Sequence, residues 1–202
     1  GTGGAGGGGA GSSGSSGQSG APAFTTPGVG WARVFSSAMD DAMAGVATWG
    51  SEVVAVGTFK APLVLGDHTW TPSGQQAVFV ARLASEDGAV TSSAMLTATG
   101  FANAFAVAVD PVGRVYVVGH LSGGPNVVPK PPGFTLPPVA KNNTGFVARV
   151  GVSGTFELAK TFPASGDQSS IASVAPLPNG AIVAGTFRAP LELGASVLTP
   201  VG

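Results

Sequence analysis

The chain contains no cysteine, which excludes disulfides, thiolate metal sites and cysteine nucleophiles. Charge is scarce: Asp, Glu, Lys and Arg make up 9% of the 202 residues, against about 25% in a typical soluble domain. A formal net charge of −1 gives no electrostatic reason to expect nucleic acid or an anionic membrane as partner. No run of about 18 apolar residues occurs, so no transmembrane helix is predicted. No signal peptide is visible, and no motif calls for a cofactor. What is abundant is glycine (33), proline (16) and short apolar runs within a 44% hydrophobic chain. Apolar runs cut this often by Gly and Pro predict an all-β fold.

The strongest single feature is a repeat. Gly57-Thr58-Phe59-Lys60-Ala61-Pro62-Leu63-Val64-Leu65-Gly66, continuing to Thr71-Pro72, returns 128 residues later as Gly185-Thr186-Phe187-Arg188-Ala189-Pro190-Leu191-Glu192-Leu193-Gly194, ending in Thr199-Pro200. Ten of sixteen positions are identical without a gap. A second pair of anchors, Phe79-Val80-Ala81-Arg82-Leu83 and Phe146-Val147-Ala148-Arg149-Val150, recurs at an offset of 67.

These anchors divide the chain. Residues 1–30 begin with eleven Gly and five Ser in the first twenty, too polar and small to offset their ordering entropy. They are predicted to be a flexible tether, its first twenty residues spanning roughly 25 Å. Residues 31–90 form a first unit with strands at Trp31–Phe35, Ala44–Thr48, Val53–Phe59 and Ala77–Leu83. Residues 91–155 form a second, with strands at Ala94–Thr97, Phe105–Val109, Arg114–Leu121 and Phe146–Val150 and a Pro-rich loop at Ser122–Thr144. Residues 156–202 form a third, with strands at Glu157–Phe162, Ile171–Ala175 and Ala181–Phe187. Gly57 lies 22 residues before Phe79, so Gly185 predicts a fourth strand near 207; the third unit is incomplete on this count.

Four strands in about 60 residues, repeated, suggest β-propeller blades. Small residues at Ala55, Ala81, Ala148 and Ala184 suit close packing of one sheet on the next. The expectation is an open arc of two full four-stranded antiparallel blades and a partial third, a fragment of a longer propeller whose remaining blades are its nearest partners. Apolar blade faces should stand uncovered at each end.

The pattern resembles the bacterial SBBP-type β-propeller repeat. Trp31-Ala32-Arg33-Val34-Phe35 and Leu158-Ala159-Lys160-Thr161-Phe162 match its W-A-K-x-F segment. Ala106-Val107-Ala108-Val109-Asp110, with Gly113-Arg114-Val115-Tyr116-Val117-Val118-Gly119, matches V-A-V-D-x-x-G-N-V-Y-V-x-G. The two Phe-Val-Ala-Arg segments match F-V-A-K-L. The resemblance covers residue 31 to the end. It implies a cell-surface or secreted scaffold of myxobacterial-like exported lipoproteins, hence an extracytoplasmic location, and no particular activity. The lipid-modified cysteine that often precedes such tethers does not occur here.

Candidate sites follow from where the repeats disagree. Asp67-His68-Thr69-Trp70 stands against Ala195-Ser196-Val197-Leu198, so this variable tip is a candidate for ligand binding through Asp67, His68 and Trp70. The second unit's extra loop adds Lys130 and Phe134, in a Pro-rich stretch that favours polyproline II geometry. Asp40, Asp41 and Asp167 are read as turn caps in preference to calcium ligands. His120, following Gly119, is read as a packed or edge side chain. Arg82 and Arg149, like Lys60 and Arg188, recur at one repeat position and are read as structural, their stems covering apolar edges. The remaining acids are scattered, with no pair forced together as a glycosidase requires, and no Gly-x-Ser-x-Gly elbow links a strand to a helix. Asn142-Asn143-Thr144 fits the N-glycosylation pattern by chance.

The favoured function is a non-enzymatic β-propeller that binds a protein or glycan through blade loops. Two alternatives remain open: a propeller hydrolase or lyase with its site in a central channel, and a structural spacer in a large surface protein.

Overall fold

The computed structural model describes residues 30–132, 134, 136, 139, 143–165, 168–193 and 195–201. The proposed tether (except Gly30), Asp167, Asn142 and Gly194 lie outside them. Among the described residues the fold is all-β, with no helix and with antiparallel strand pairs throughout its sheets. Strands β1 (Ala42–Trp49), β2 (Glu52–Phe59), β5 (Ala77–Ala84) and β6 (Val90–Ala98) form a meander, to which β9 (Pro125–Val128) adds a fifth strand beside β6. A second sheet runs β7 (Phe101–Val109), β8 (Val115–Ser122), β10 (Thr144–Val150) and β11 (Phe156–Phe162). Strands β12 (Ser169–Leu177) and β13 (Gly180–Phe187) form a third. The duplicated stretch makes one hairpin twice: β3 (Leu63–Leu65) with β4 (His68–Trp70), and β14 (Leu191–Leu193) with β15 (Ser196–Leu198).

Ten of the eleven expected strands form, and β9 arises inside the stretch expected to be a Pro-rich loop, but the sheets group the strands one out of phase with the sequence units. The strand expected at Ala94–Thr97 as the opening of the second unit is part of β6, which hydrogen-bonds to β5 and closes the first sheet. Phe156–Phe162 likewise closes the second sheet on β10. Trp31–Phe35 is not a strand. Its counterparts pair with the sheet preceding them, and no described strand precedes Trp31. It lies instead across the turn after β5. The Trp31 indole N–H donates to the Ser85 carbonyl at 2.8 Å, Arg33 donates to the carbonyls of Asp87 and Gly88, and Phe35 packs edge-on to Phe79 at 6.0 Å.

The sheets are apolar on both faces, and period 2 along each strand sorts the side chains. In the first sheet, Val54, Val56, Val78 and Val80 face the second sheet, where Val115, Val117, Phe146 and Ala148 meet them. Phe59, Phe79 and Ala81 point the other way, under Leu63, Leu65 and Trp70 of the first hairpin. On the far face of the second sheet, Tyr116, Val118 and Phe162 pack with Ile171 and Leu191 of the third unit. Ala55, Ala81 and Ala148 are buried where small size lets the layers approach; Ala184 is exposed.

One local device recurs in all three units. Each first hairpin carries a register shift, between Met43 and Gly45, Ala104 and Ala106, and Ile171 and Ser173. Opposite each shift stands a glycine. A Cβ on Gly57 would meet the Ala42 carbonyl oxygen at 2.4 Å, one on Gly119 the Asn103 oxygen at 1.9 Å, and one on Gly185 the Ser170 oxygen at 2.1 Å. The recurring glycine is therefore a close backbone approach at a bulge.

Gly119→Ala should lower stability by about 2–4 kcal/mol, because the obstacle is a carbonyl that cannot move without breaking the bulge. Gly180→Ala, with nothing within 4 Å, should stay within about 0.5 kcal/mol of the parent. Denaturant midpoints measure both; equal effects would remove the bulge argument.

Candidate functional site

The first hairpin turns at Gly66, whose φ of 61° lies in the left-handed region that glycine tolerates. Alternation then places Leu63, Leu65 and Trp70 inward and leaves Val64 and Thr69 outward. Trp70, expected at an exposed tip, is 9% exposed: it belongs to the core over Phe79, and its indole N–H donates to Ser93 Oγ at 3.0 Å. Asp67 and His68 are the exposed part of the tip, the His68 ring lying 5.5 Å from that of Trp70.

These three residues converge on one cleft of ≈ 380 Å³. Its other walls are Val90–Ser93 of β6, Pro129, and Ser153-Gly154 in the turn between β10 and β11. Strand β9 pairs with β6 only from Met95 to Ala98. The β6 edge from Val90 to Ala94 therefore has no strand partner among the described residues and borders the cleft. Ser92 Oγ is buried there with no hydrogen-bond partner among the described residues. The cleft combines one carboxylate, one imidazole, an indole wall, hydroxyls and an open strand edge. That is a binding chemistry. Thr91, Ser92 and Ser93 escaped sequence reasoning because they sit in an ordinary strand; only the pairing pattern exposes them.

The other two sequence candidates lie apart from this cleft. Phe134 packs on the core between the first two sheets, 6.5 Å from the Phe156 ring, together with Leu136 and Val139. The Pro-rich loop is thus in part core filling, and Val127 within it is 1% exposed. Lys130 is exposed and shares a small recess with Phe134, Asn126 and Leu136.

His120 is half-buried, with its ring edge-on to Phe105 at 4.9 Å and Phe101 at 5.4 Å. Burial lowers its pKa below the ordinary 6.5, which keeps it neutral at pH 7. It lines a second cleft of ≈ 250 Å³ with Phe105, Asn143, Ser170, Thr186 and Arg188.

Several acids are held in separate contacts. Glu52 pairs with Arg82 at 2.9 Å, Glu157 with Arg149 at 2.9 Å, and Asp40 with Lys60 at 3.0 Å. Asp41 accepts from the Ser37 backbone N–H and, at 2.7 Å, from the Ser37 hydroxyl, as a turn cap does. Arg82 is 2% exposed; it donates to the Gly113 carbonyl and lies 6.0 Å from the Trp49 ring. No group of three His, Asp or Glu residues able to hold a metal occurs among the described residues.

Asp110 is the most deeply placed acid, 1% exposed. Burial pushes its pKa up, but the backbone N–H and guanidinium of Arg114 and the N–H of Val112 outweigh it and hold the carboxyl below its ordinary 3.8. No family model and no curated protein matches this chain.

A depressed folded-state pKa means that Asp110 stabilises the fold above pH 3.8 and loses that contribution as the pH falls through the lower folded value. Asp110→Asn should cost on the order of 1 kcal/mol at pH 7. The gap from the parent should close below pH 3.8. Urea melts across pH 2–7 measure it; a gap constant with pH would refute the assignment.

Proposed function

We propose that the chain is a non-enzymatic, extracytoplasmic β-propeller module that binds its partner through the loops of its blades. Support for the propeller comes from successive antiparallel meanders stacked face to face, with one bulge-and-glycine device in each. The first strands of the three units, β1, β7 and β12, also lie next to one another in turn, as the inner strands of neighbouring blades do. The blades in this reading are 42–98, 101–162 and the part beginning at 169. The extracytoplasmic location rests on the resemblance to exported repeat proteins.

The observation that carries the binding role is the cleft at Asp67 and His68, bordered by the N-terminal half of β6, whose edge away from β5 has no strand partner among the described residues. An open strand edge offers alternating N–H and C=O groups, which an extended polypeptide satisfies residue by residue. The cleft therefore favours a protein partner that presents an extended segment; a glycan would draw on the hydroxyls and the indole. Four described acids, Asp40, Glu52, Asp110 and Glu157, are paired with Lys60, Arg82, Arg114 and Arg149, which takes them out of consideration as a catalytic set and makes binding the better reading of the cleft.

Panning displayed peptides and a glycan array against the intact chain tests this. A peptide ligand that binds about tenfold more weakly to Asp67→Ala/His68→Ala, with the unfolding midpoint unchanged, is the expected result. Ligands indifferent to both residues would overturn the site. Binding confined to glycans would replace the polypeptide, and no ligand at all would favour the spacer.

A further inference from the structure

The edge of β13 has an identifiable missing partner. In the first sheet β2 is held on its outer side by β5, with Gly57 opposite Phe79, Thr58 opposite Val78 and Ala55 opposite Ala81. In the second sheet β8 is held the same way by β10, with Gly119 opposite Phe146 and Val117 opposite Ala148. The two holding strands share Phe-Val-Ala-Arg, and both place Phe against the glycine. In the first sheet the Phe79 ring fills the space over Gly57, within 2.6 Å of where a Cβ would be.

Strand β13 carries the same sequence features as β2, Gly185-Thr186-Phe187 in place of Gly57-Thr58-Phe59. It pairs with β12 through the same bulge. Its other edge has no strand among the described residues. The face of β13 that corresponds to the stacked faces of β2 and β8 is open as well. Val54 and Tyr116 are 0% and 2% exposed, while Ile182 at the same repeat position is 60% exposed. Thr58 is 4% exposed and Thr186 is open to solvent.

We infer that the β13 edge is a docking site for one antiparallel strand of the Phe-Val-Ala-Arg-Leu type, supplied by another polypeptide segment, with its Phe opposite Gly185. This rests on reading the three units as blades. The partner's chemistry is set by the two copies already in place. A Phe is needed to cover a glycine that has no side chain of its own. A small residue is needed opposite Val183, where Ala81 and Ala148 stand opposite Ala55 and Val117. An arginine follows opposite Ile182, as Arg82 and Arg149 stand opposite Val54 and Tyr116. Backbone hydrogen bonds supply the affinity, and the glycine fixes the register.

The test uses the absence of cysteine. The full chain carrying Thr186→Cys is mixed with a synthetic peptide of residues 77–98 carrying Val78→Cys, the in-register pair, or with one carrying the cysteine at Val80. Under mild oxidation the in-register pair should cross-link at least about tenfold faster. An otherwise identical peptide with Phe79→Ala should bind at least about tenfold more weakly, since docking that ring removes a whole aromatic side chain from water. Equal cross-linking at both positions, or no loss with Phe79→Ala, would overturn the inference. So would a Thr186→Cys dimer of the chain that forms faster than the peptide adduct, because a second β13 would then be the occupant. The intramolecular pair Thr58→Cys/Val78→Cys separates the two levels. If it closes while the peptide fails, only this docking site is wrong; if it does not close, the blade reading fails with it.

Discussion

Two-faced burial governs this molecule. A sheet whose residues alternate between two apolar sides has no side to give to water, so it cannot persist alone. Val54 and Phe79 lie in neighbouring strands of one sheet yet belong to different cores. Each sheet therefore needs a layer before it and a layer after it. The rest follows from that need: the stacking of the sheets, the small residues that let them approach, and the segments inserted between β2 and β5, between β8 and β10 and after β13. Those insertions all fall on the same side of their own sheet. The hairpin β3–β4 covers Phe79, Val127 with Phe134, Leu136 and Val139 packs between the first two sheets, and Leu191 with Leu193 fills the next gap. A segment that looks like decoration in the sequence is a wedge that keeps adjoining layers in contact.

That constraint also explains what the sequence disclosed. Strand positions were legible because apolar runs and Gly/Pro breaks are local. The glycine repeat was legible because a close backbone approach admits one residue type, and Asn103 lies where any Cβ on Gly119 would have to go. Strand partnership was not legible. The run at 90–98 reads the same whether it opens one sheet or closes another, and only hydrogen bonding to β5 decides. The burial of Trp70 was likewise not legible, although the residue does line the cleft. A tip that varies between copies suggests a ligand contact, yet position 70 points inward in the hairpin, and Leu198 at the matching place is 43% exposed only because less lies over it. Phe134 was misread for a related reason: a Pro-rich loop has no period to mark which of its side chains turn in.

The candidate cleft was half legible. Asp67 and His68 stood out as a place where two otherwise alike copies disagree, and both line it. Its other half is an edge, which is a property of pairing and not of residue type. Strand β9 stops short of the N-terminal half of β6. No composition argument can find a strand that ends five residues early.

Scarce charge narrows what the surface can do. Most of the described ionic groups are committed to turns and seams. Asp110 with Arg114 closes one hairpin, and Arg114 reaches on to the Pro178 carbonyl of the next. Arg82 ties Glu52 to the Gly113 turn, where Trp49 donates to the Pro111 carbonyl. These contacts lock each unit to its successor at one end of the sheets, and they are spent there. A partner approaching the described surface meets few free charges to steer it. What it meets are open backbone edges, hydroxyls and a few aromatic rings. Recognition on such a surface has to come from main-chain geometry and shape, so association should be slow relative to charge-steered partners and only weakly sensitive to salt.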